Sequence, residues 1–231
     1  TSIYDNGIRV PFFIRWPGKF PAGKKIDTIA AHIDVLPTLL DAAGVSNPTS
    51  NQVDGTSLLP LISGNAPHWP DRTIYFQYNA GPIPFQYVHF AARGQQYKLI
   101  SPHGDPHNYR YPPDARGKKR LLDSLELYDI QKDPSEISNL ARKLPEIVEQ
   151  MLGEYEDWFE DVTRKRSFYI PERIQIGTPH QKKVILSQFD WRGSLENGGI
   201  GHWYLKSHDT QQYRVTMHYD KSPKSGVARI R

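Results

Sequence analysis

The stretch Tyr4-Asp5-Asn6-Gly7-Ile8-Arg9-Val10-Pro11-Phe12-Phe13-Ile14-Arg15-Trp16-Pro17-Gly18 constrains this chain more than any other. It opens as a polar, glycine-bearing turn, suited to backbone that needs positive φ. The apolar, β-branched and aromatic run from Ile8 to Trp16 predicts a buried strand. Pro17-Gly18 ends it, because proline cannot donate to a ladder and glycine permits the turn. A polar turn feeding straight into a buried strand is where α/β enzymes often set the edge of an active site.

The length of 231 residues accommodates one core plus a smaller unit. A hydrophobic content of 38% with 12% aromatics excludes a disordered chain, and 19 prolines with 17 glycines imply many turns. No apolar run approaches the roughly 20 residues of a membrane helix, and no signal peptide is visible. The net charge of +4 suits an anionic substrate but equally a solvated basic surface. Lys118-Lys119-Arg120 and Arg164-Lys165-Arg166 lack the aromatic interleaving of a nucleic-acid groove, so neither nucleic acid nor membrane is expected as a partner. The absence of cysteine excludes disulfides and thiolate metal sites.

Periodicity supplies the elements. Asp34 to Ala43 reads as a helix with Asp34 as N-cap, Leu36, Leu39, Leu40 and Ala43 on one face, and Gly44 as C-cap. A turn and short helical stretch follow over Val53–Ile62. Arg72–Tyr78 has strand composition. Val88–Arg93 and Tyr97–Ile100 pair as a hairpin across Gly94-Gln95-Gln96, and Leu125–Ile130 is a further strand. Ile147, Met151, Tyr155, Trp158 and Phe159 recur at helical spacing between Leu144 and Val162. A basic, proline-bearing linker gives way to strand-like runs at Val184–Leu186, Trp203–Lys206, Tyr213–Tyr219 and Gly226–Ile230.

Four of these segments carry a resemblance. Tyr4-Asp5-Asn6-Gly7-Ile8-Arg9-Val10-Pro11 resembles the sulfatase pattern Tyr-acidic-Gly-Gly-x-Arg-x-Pro, with Asn6 in place of the first glycine. Asp34-Val35-Leu36-Pro37-Thr38-Leu39-Leu40 resembles the family's Asp-Leu-x-Pro-Thr-Leu-Leu helix. Val53–Ile62 and the run Leu127–Glu136 through Asn139-Leu140 resemble later elements of the same family in the same order. The tail after Trp191-Arg192-Gly193 is similar, more weakly, to a β-rich extension of some bacterial sulfatases.

The resemblance implies an α/β fold class, seen here as the C-terminal part of the sulfatase α/β core at 1–70. A small antiparallel sheet with one packing helix would follow at 71–163, then a linker at 164–182 and a β-rich, sandwich-like tail at 183–231. It implies sulfate-ester hydrolysis with a formylglycine nucleophile and a divalent cation, usually calcium, acting on a sulfated small molecule or carbohydrate. The family's sulfate-contacting lysine would sit immediately before Thr1, and its Cys-x-Pro-x-Arg motif and metal aspartates would also lie upstream. This chain by itself is therefore expected to lack a catalytic residue, a metal site and activity, with the N-terminal part of the same protein as its partner. A periplasmic or secreted location goes with the resemblance.

Within the chain, Asp5 and Asn6 are expected close to the sulfate pocket, with Arg9 as an anchor of the turn. Asn79, in the loop Tyr78-Asn79-Ala80-Gly81-Pro82, and His103 and His107, in the long loop Ser101–Tyr111, are candidates for substrate contact. His103 and His107 share an i,i+4 spacing, but the intervening prolines and glycine forbid the helix a metal pair would need. His68 reads as a capping or packing residue, and His32, His89, His202, His208 and His218 read as structural. Asp34 and Asp54 read as a cap and a turn. Two other activities remain open: a phosphodiesterase or phosphonate hydrolase of the same superfamily, and a carbohydrate-binding module using Trp191 and Trp203 in the tail.

Overall fold

Four short segments, three of them buried at consecutive positions on both faces, build one antiparallel sheet. In the computed structural model, residues 2–47, 53–66, 69–79, 84–104, 115–164, 173–181, 183–187, 190, 192–193, 201–210 and 212–216 are described. Strands β1 (Ile74–Gln77), β2 (Phe90–Arg93), β3 (Tyr97–Ser101) and β4 (Glu126–Asp129) lie in chain order, each antiparallel to the next. The hairpin expected across Gly94-Gln95-Gln96 is present, with Gly94 N–H donating to the Tyr97 carbonyl at 2.9 Å.

The period of two gives the sheet two faces. Phe90, Ala92, Leu99 and Leu127 point to one side and pack against the 20-residue helix α5 (Pro145–Arg164), chiefly through Met151 and Tyr155. Tyr155 is fully buried, stacks on Phe90 with ring centres 3.7 Å apart, and donates its hydroxyl to Gln77 at 2.9 Å. Helix α4 (Ala115–Asp123), which the basic run Lys118-Lys119-Arg120 had concealed, adds Leu121 to that core. Ala91, Ile100, Tyr128 and Ile130 line the opposite face and enclose Ile3.

The N-terminal run departs from its expected form. Asp5–Ile8 closes a short helical turn, α1, and the residues after it are extended with no ladder partner among the described residues. Far from buried, Val10 is 75% and Phe13 90% exposed. β-branched and aromatic composition signals a demand for burial, but a neighbouring strand has to meet it. Helix α2 (Val35–Ala43) shows the same pattern: Leu36 and Leu39 are exposed, while the polar Thr38 is buried. Thr38 Oγ1 donates to the Asp34 carbonyl at 2.6 Å and accepts from Leu58 N–H at 2.9 Å, at the entry to α3 (Leu59–Ser63). Gly44 ends α2 in the left-handed region, as expected.

By internal contacts the chain divides into two units, Thr1–Ile170 and Pro171–Arg231. In the second, β5 (Ile174–Ile176) pairs parallel with β8 (Leu205–Ser207), and β6 (Arg192–Gly193) pairs antiparallel with β7 (Gly201–His202). Val184–Leu186 and Tyr213–Thr216 are not strands, and Ile185 (77%) and Val215 (60%) are exposed. The described residues of this unit thus form two-stranded ladders, not a sandwich; alternation without a facing sheet leaves such side chains in water. Residues 217–219 and the run 226–230 lie outside the described residues.

Candidate functional site

The turn Tyr4–Ile8 is fastened to the sheet at three levels. Ile3 is buried against Ala91, Ile100 and Tyr128. Tyr4 donates its hydroxyl to Glu126 at 2.7 Å, and Tyr128 donates to the same carboxylate oxygen at 2.8 Å. Burial, reinforced by Glu126, pushes the Tyr4 phenol up to about 12. Below that, the Asp5 carboxylate accepts from the Lys98 ammonium at 2.8 Å, and Asp5 N–H donates to Glu136 at 2.6 Å. Gly7 is required where the turn closes, because a Cβ there would stand 2.1 Å from the Ser2 carbonyl oxygen.

Charge explains why Asp5 is held. Arg93 and Lys98 are direct cross-strand partners, and like charges in that position repel. Lys98 is fully buried, and Glu136 supplies its second counter-charge at 2.6 Å. Burial lowers the Arg93 guanidinium, while Asp5 and Glu136 oppose that shift. Two carboxylates thus answer two cations beneath the turn. Glu136 makes its contacts from a left-handed backbone (φ 56°), a conformation a non-glycine residue keeps only where its surroundings enforce it. Lys98 and Glu136 were not singled out in the sequence. Lys98 was legible, since alternation through Tyr97-Lys98-Leu99-Ile100 puts a charge on the same face as Ile100; nothing local marks Glu136 as its partner.

The loops flagged as substrate contacts leave the same end of the sheet, by its topology. β1 ends there, β2 and β4 begin there, and β3 ends there. Tyr78 N–H donates to the His89 carbonyl at 2.9 Å, and His89 Nε2 lies 3.2 Å from the Gly104 carbonyl oxygen, so the loop after β1 is tied to the loop after β3. Ser101 Oγ adds a bond to the Tyr87 carbonyl at 2.6 Å. Tyr87 (φ 69°) and His89 (φ 47°) are left-handed, held by these contacts and by Tyr87 N–H donating to the Tyr155 hydroxyl at 3.1 Å.

The predicted residues fall as follows. Asp5 is in the ion cluster, Asn6 is exposed on the turn, Asn79 is half-buried after β1, and His103 is exposed after β3. His107, His68, His218 and Trp191 lie outside the described residues. His89 has the structural role expected of it, whereas His32, His202 and His208 are exposed. Trp203 is half-buried and donates Nε1–H to the Ser187 carbonyl at 3.1 Å.

Asp34 does not cap α2 with its side chain, although it accepts the Ala31 N–H at the start of the preceding 3-10 turn. Its buried carboxylate accepts from both terminal nitrogens of Arg72 (2.7 and 2.6 Å), from Thr56 N–H (2.9 Å) and from Ala31 N–H (2.8 Å). Burial alone would raise this carboxyl, but Arg72 and the two amides hold it below its ordinary value. Asp54 is exposed in its turn. Among the described residues no group of three or more His, Asp or Glu could hold a metal ion. No helix among them is long and apolar enough to cross a membrane.

Comparison with known proteins agrees with the motifs. Residues 1–113 match the family model for N-sulphoglucosamine sulphohydrolase, C-terminal. Human arylsulfatase D is 41% identical over 202 residues, 84% of this chain and 32% of its own length. The chain belongs to the sulfatase family. Within that family it corresponds to the C-terminal portion. The N-acetylglucosamine-6-O-sulfatase of Bacteroides thetaiotaomicron is 29% identical over 204 residues, 84% of this chain and 30% of the relative. A solved structure in complex with its substrate D-glucosamine-2-N,6-O-disulfate shares 26% identity over 64% of this chain and 28% of its own, with a TM-score of 0.45. The chain thus spans about a third of the length of both sulfatase relatives.

Proposed function

We propose that this chain forms the pocket rim and C-terminal subdomain of a sulfatase that hydrolyses a sulfate ester, carried by a sulfated carbohydrate or an aryl sulfate. One observation carries the reading. The Tyr4–Ile8 turn, whose residues resemble the family's pocket-edge motif, is fastened to the sheet, and its Tyr4 bonds Glu126 at the end from which the Asn79 and His103 loops emerge. Asp5, Asn6, Asn79, His103 and His107 are the residues we assign to that rim. The charged turn orients the rim, and amide or imidazole donors on the loops suit the hydroxyls and sulfate oxygens of a sugar. The named activity of the Bacteroides relative favours a sulfated sugar.

A sulfatase supplies its nucleophile as formylglycine and its charge stabilisation through a divalent cation such as calcium. Both belong, on this reading, to the α/β domain of the longer protein, of which residues 1–70 are the last part. The apolar side chains of Val10, Phe13, Leu36 and Leu39, exposed here, provide a surface for that domain. A periplasmic or secreted location accompanies the assignment.

Kinetics with the longer gene product and with this chain, on 4-nitrophenyl sulfate and on a phenylphosphonate monoester, test the reading. Sulfate release by the longer protein and none by this chain is the expected result. Turnover by the isolated chain, or preference for the phosphonate, overturns it.

A further inference from the structure

A fully buried lysine at the centre of a small sheet needs a reason, because an apolar side chain would fill that place at least as stably. Lys98 sits on the face that receives the turn, between Asp5 (2.8 Å) and Glu136 (2.6 Å). Glu136 does two things at once: Oε1 accepts from Lys98, and Oε2 accepts from the backbone N–H of Asp5, the first residue of α1. It does so from a left-handed backbone, with its own N–H bonded to the Asp133 carbonyl at 3.1 Å. The cluster joins three stretches distant in sequence: the turn, strand β3 and the loop after β4. A strained backbone and three buried charges converging on one turn have the form of a positioning device.

We propose that Lys98, Asp5 and Glu136 form a positioning element by which the loop after β4 and strand β3 set the height and tilt of the Tyr4–Ile8 turn, and with it the sulfate-facing edge of the pocket. The proposal rests on the sulfatase reading only for its last step. Lys98 and Glu136 touch no substrate; they act through the turn. Glu136 fixes the Asp5 amide, Lys98 fixes the Asp5 carboxylate, and the chain on either side of Asp5 has little freedom left. Turnover therefore depends on a carboxylate 131 residues away from the turn it holds.

The test uses Glu136→Gln, which keeps an acceptor for Asp5 N–H and removes the charge, together with Asp5→Asn, their double variant and Lys98→Met. Met151→Ala, in the α5 core, serves as a control for loss of stability alone. Hydrogen exchange over residues 4–9 is measured in this chain, and kcat and KM for 4-nitrophenyl sulfate in the longer protein. Glu136→Gln should speed exchange of the Gly7, Ile8 and Arg9 amides at least about tenfold while leaving α5 protected. It should lower kcat about tenfold or more with KM changed less than about threefold, and the double variant should be no worse than the poorer single one. Met151→Ala should move thermal stability without moving kcat. Unchanged exchange at the turn overturns the anchoring. Loosened exchange with wild-type kcat overturns the link to the pocket. A wild-type protein without sulfatase turnover instead refutes the functional reading and the pocket step with it, while the exchange arm still decides the anchoring.

Discussion

Arg72→Met is the substitution whose effect the structure fixes most closely. Arg72 places both terminal nitrogens on the fully buried Asp34 carboxylate and a further bond on the Ile29 carbonyl at 3.1 Å. Methionine keeps the packed stem and deletes the charge. Breaking a buried pair from one side costs about 3–5 kcal/mol, because the other charge stays buried without compensation. Here Thr56 and Ala31 amides still serve Asp34, and the Arg72 side chain is 15% exposed, so the lower end, about 3 kcal/mol, applies. In a urea titration followed by circular dichroism this lowers the midpoint by about 1–3 M, given usual denaturant slopes. The pH dependence has a definite sign. The folded-state carboxyl of Asp34 lies below its ordinary value, so its contribution is present above the unfolded value near 3.8 and is lost as pH falls through the folded value. The gap between wild type and Arg72→Met should therefore narrow on acidification through that window. Combining it with Asp34→Asn should cost about 2 kcal/mol less than the sum of the two single changes. Strict additivity, or a midpoint indistinguishable from wild type, would refute the claim that Asp34 and Arg72 act as one coupled, buried pair.

Tyr155→Phe removes the acceptor of Tyr87 N–H and the donor to Gln77, leaving a buried amide orphaned, and should cost about 1–3 kcal/mol in chemical denaturation. Gly104→Ala places a Cβ 2.9 Å from Val88 Cγ1 at φ +109°, so it should destabilise by about 1–3 kcal/mol and speed exchange at His89. Tyr4 binds its proton more tightly folded than unfolded, so its contribution is present below about pH 10 and lost as pH rises through about 12; Tyr4→Phe should flatten stability across that interval in urea titrations.

The sheet and α5 were legible because their signals are local and their partners are close in sequence. Phe90, Ala92 and Leu99 alternate on two strands joined by a three-residue turn, and Met151 and Tyr155 recur on one helical face that covers them. The run Ile8–Trp16 carries an equally clear pattern, yet Val10, Phe12 and Phe13 are exposed. Hydrophobic pattern states which side chains favour removal from water; whether a neighbour removes them is decided elsewhere in the fold. The same logic separates the two parts of the candidate site. Asp5 stands out from its own segment as part of the family-like turn, but its ion pair with Lys98 spans 93 positions and its amide bond to Glu136 spans 131. Helix signals cannot announce such partners, and a carboxylate in an acidic, proline-bearing loop looks like ordinary solvated surface. The buried charge on β3 is the one sequence clue that reaches across that distance. A lysine on the inward face of a strand demands a counter-ion, and the turn that supplies it is the segment whose family resemblance is sharpest.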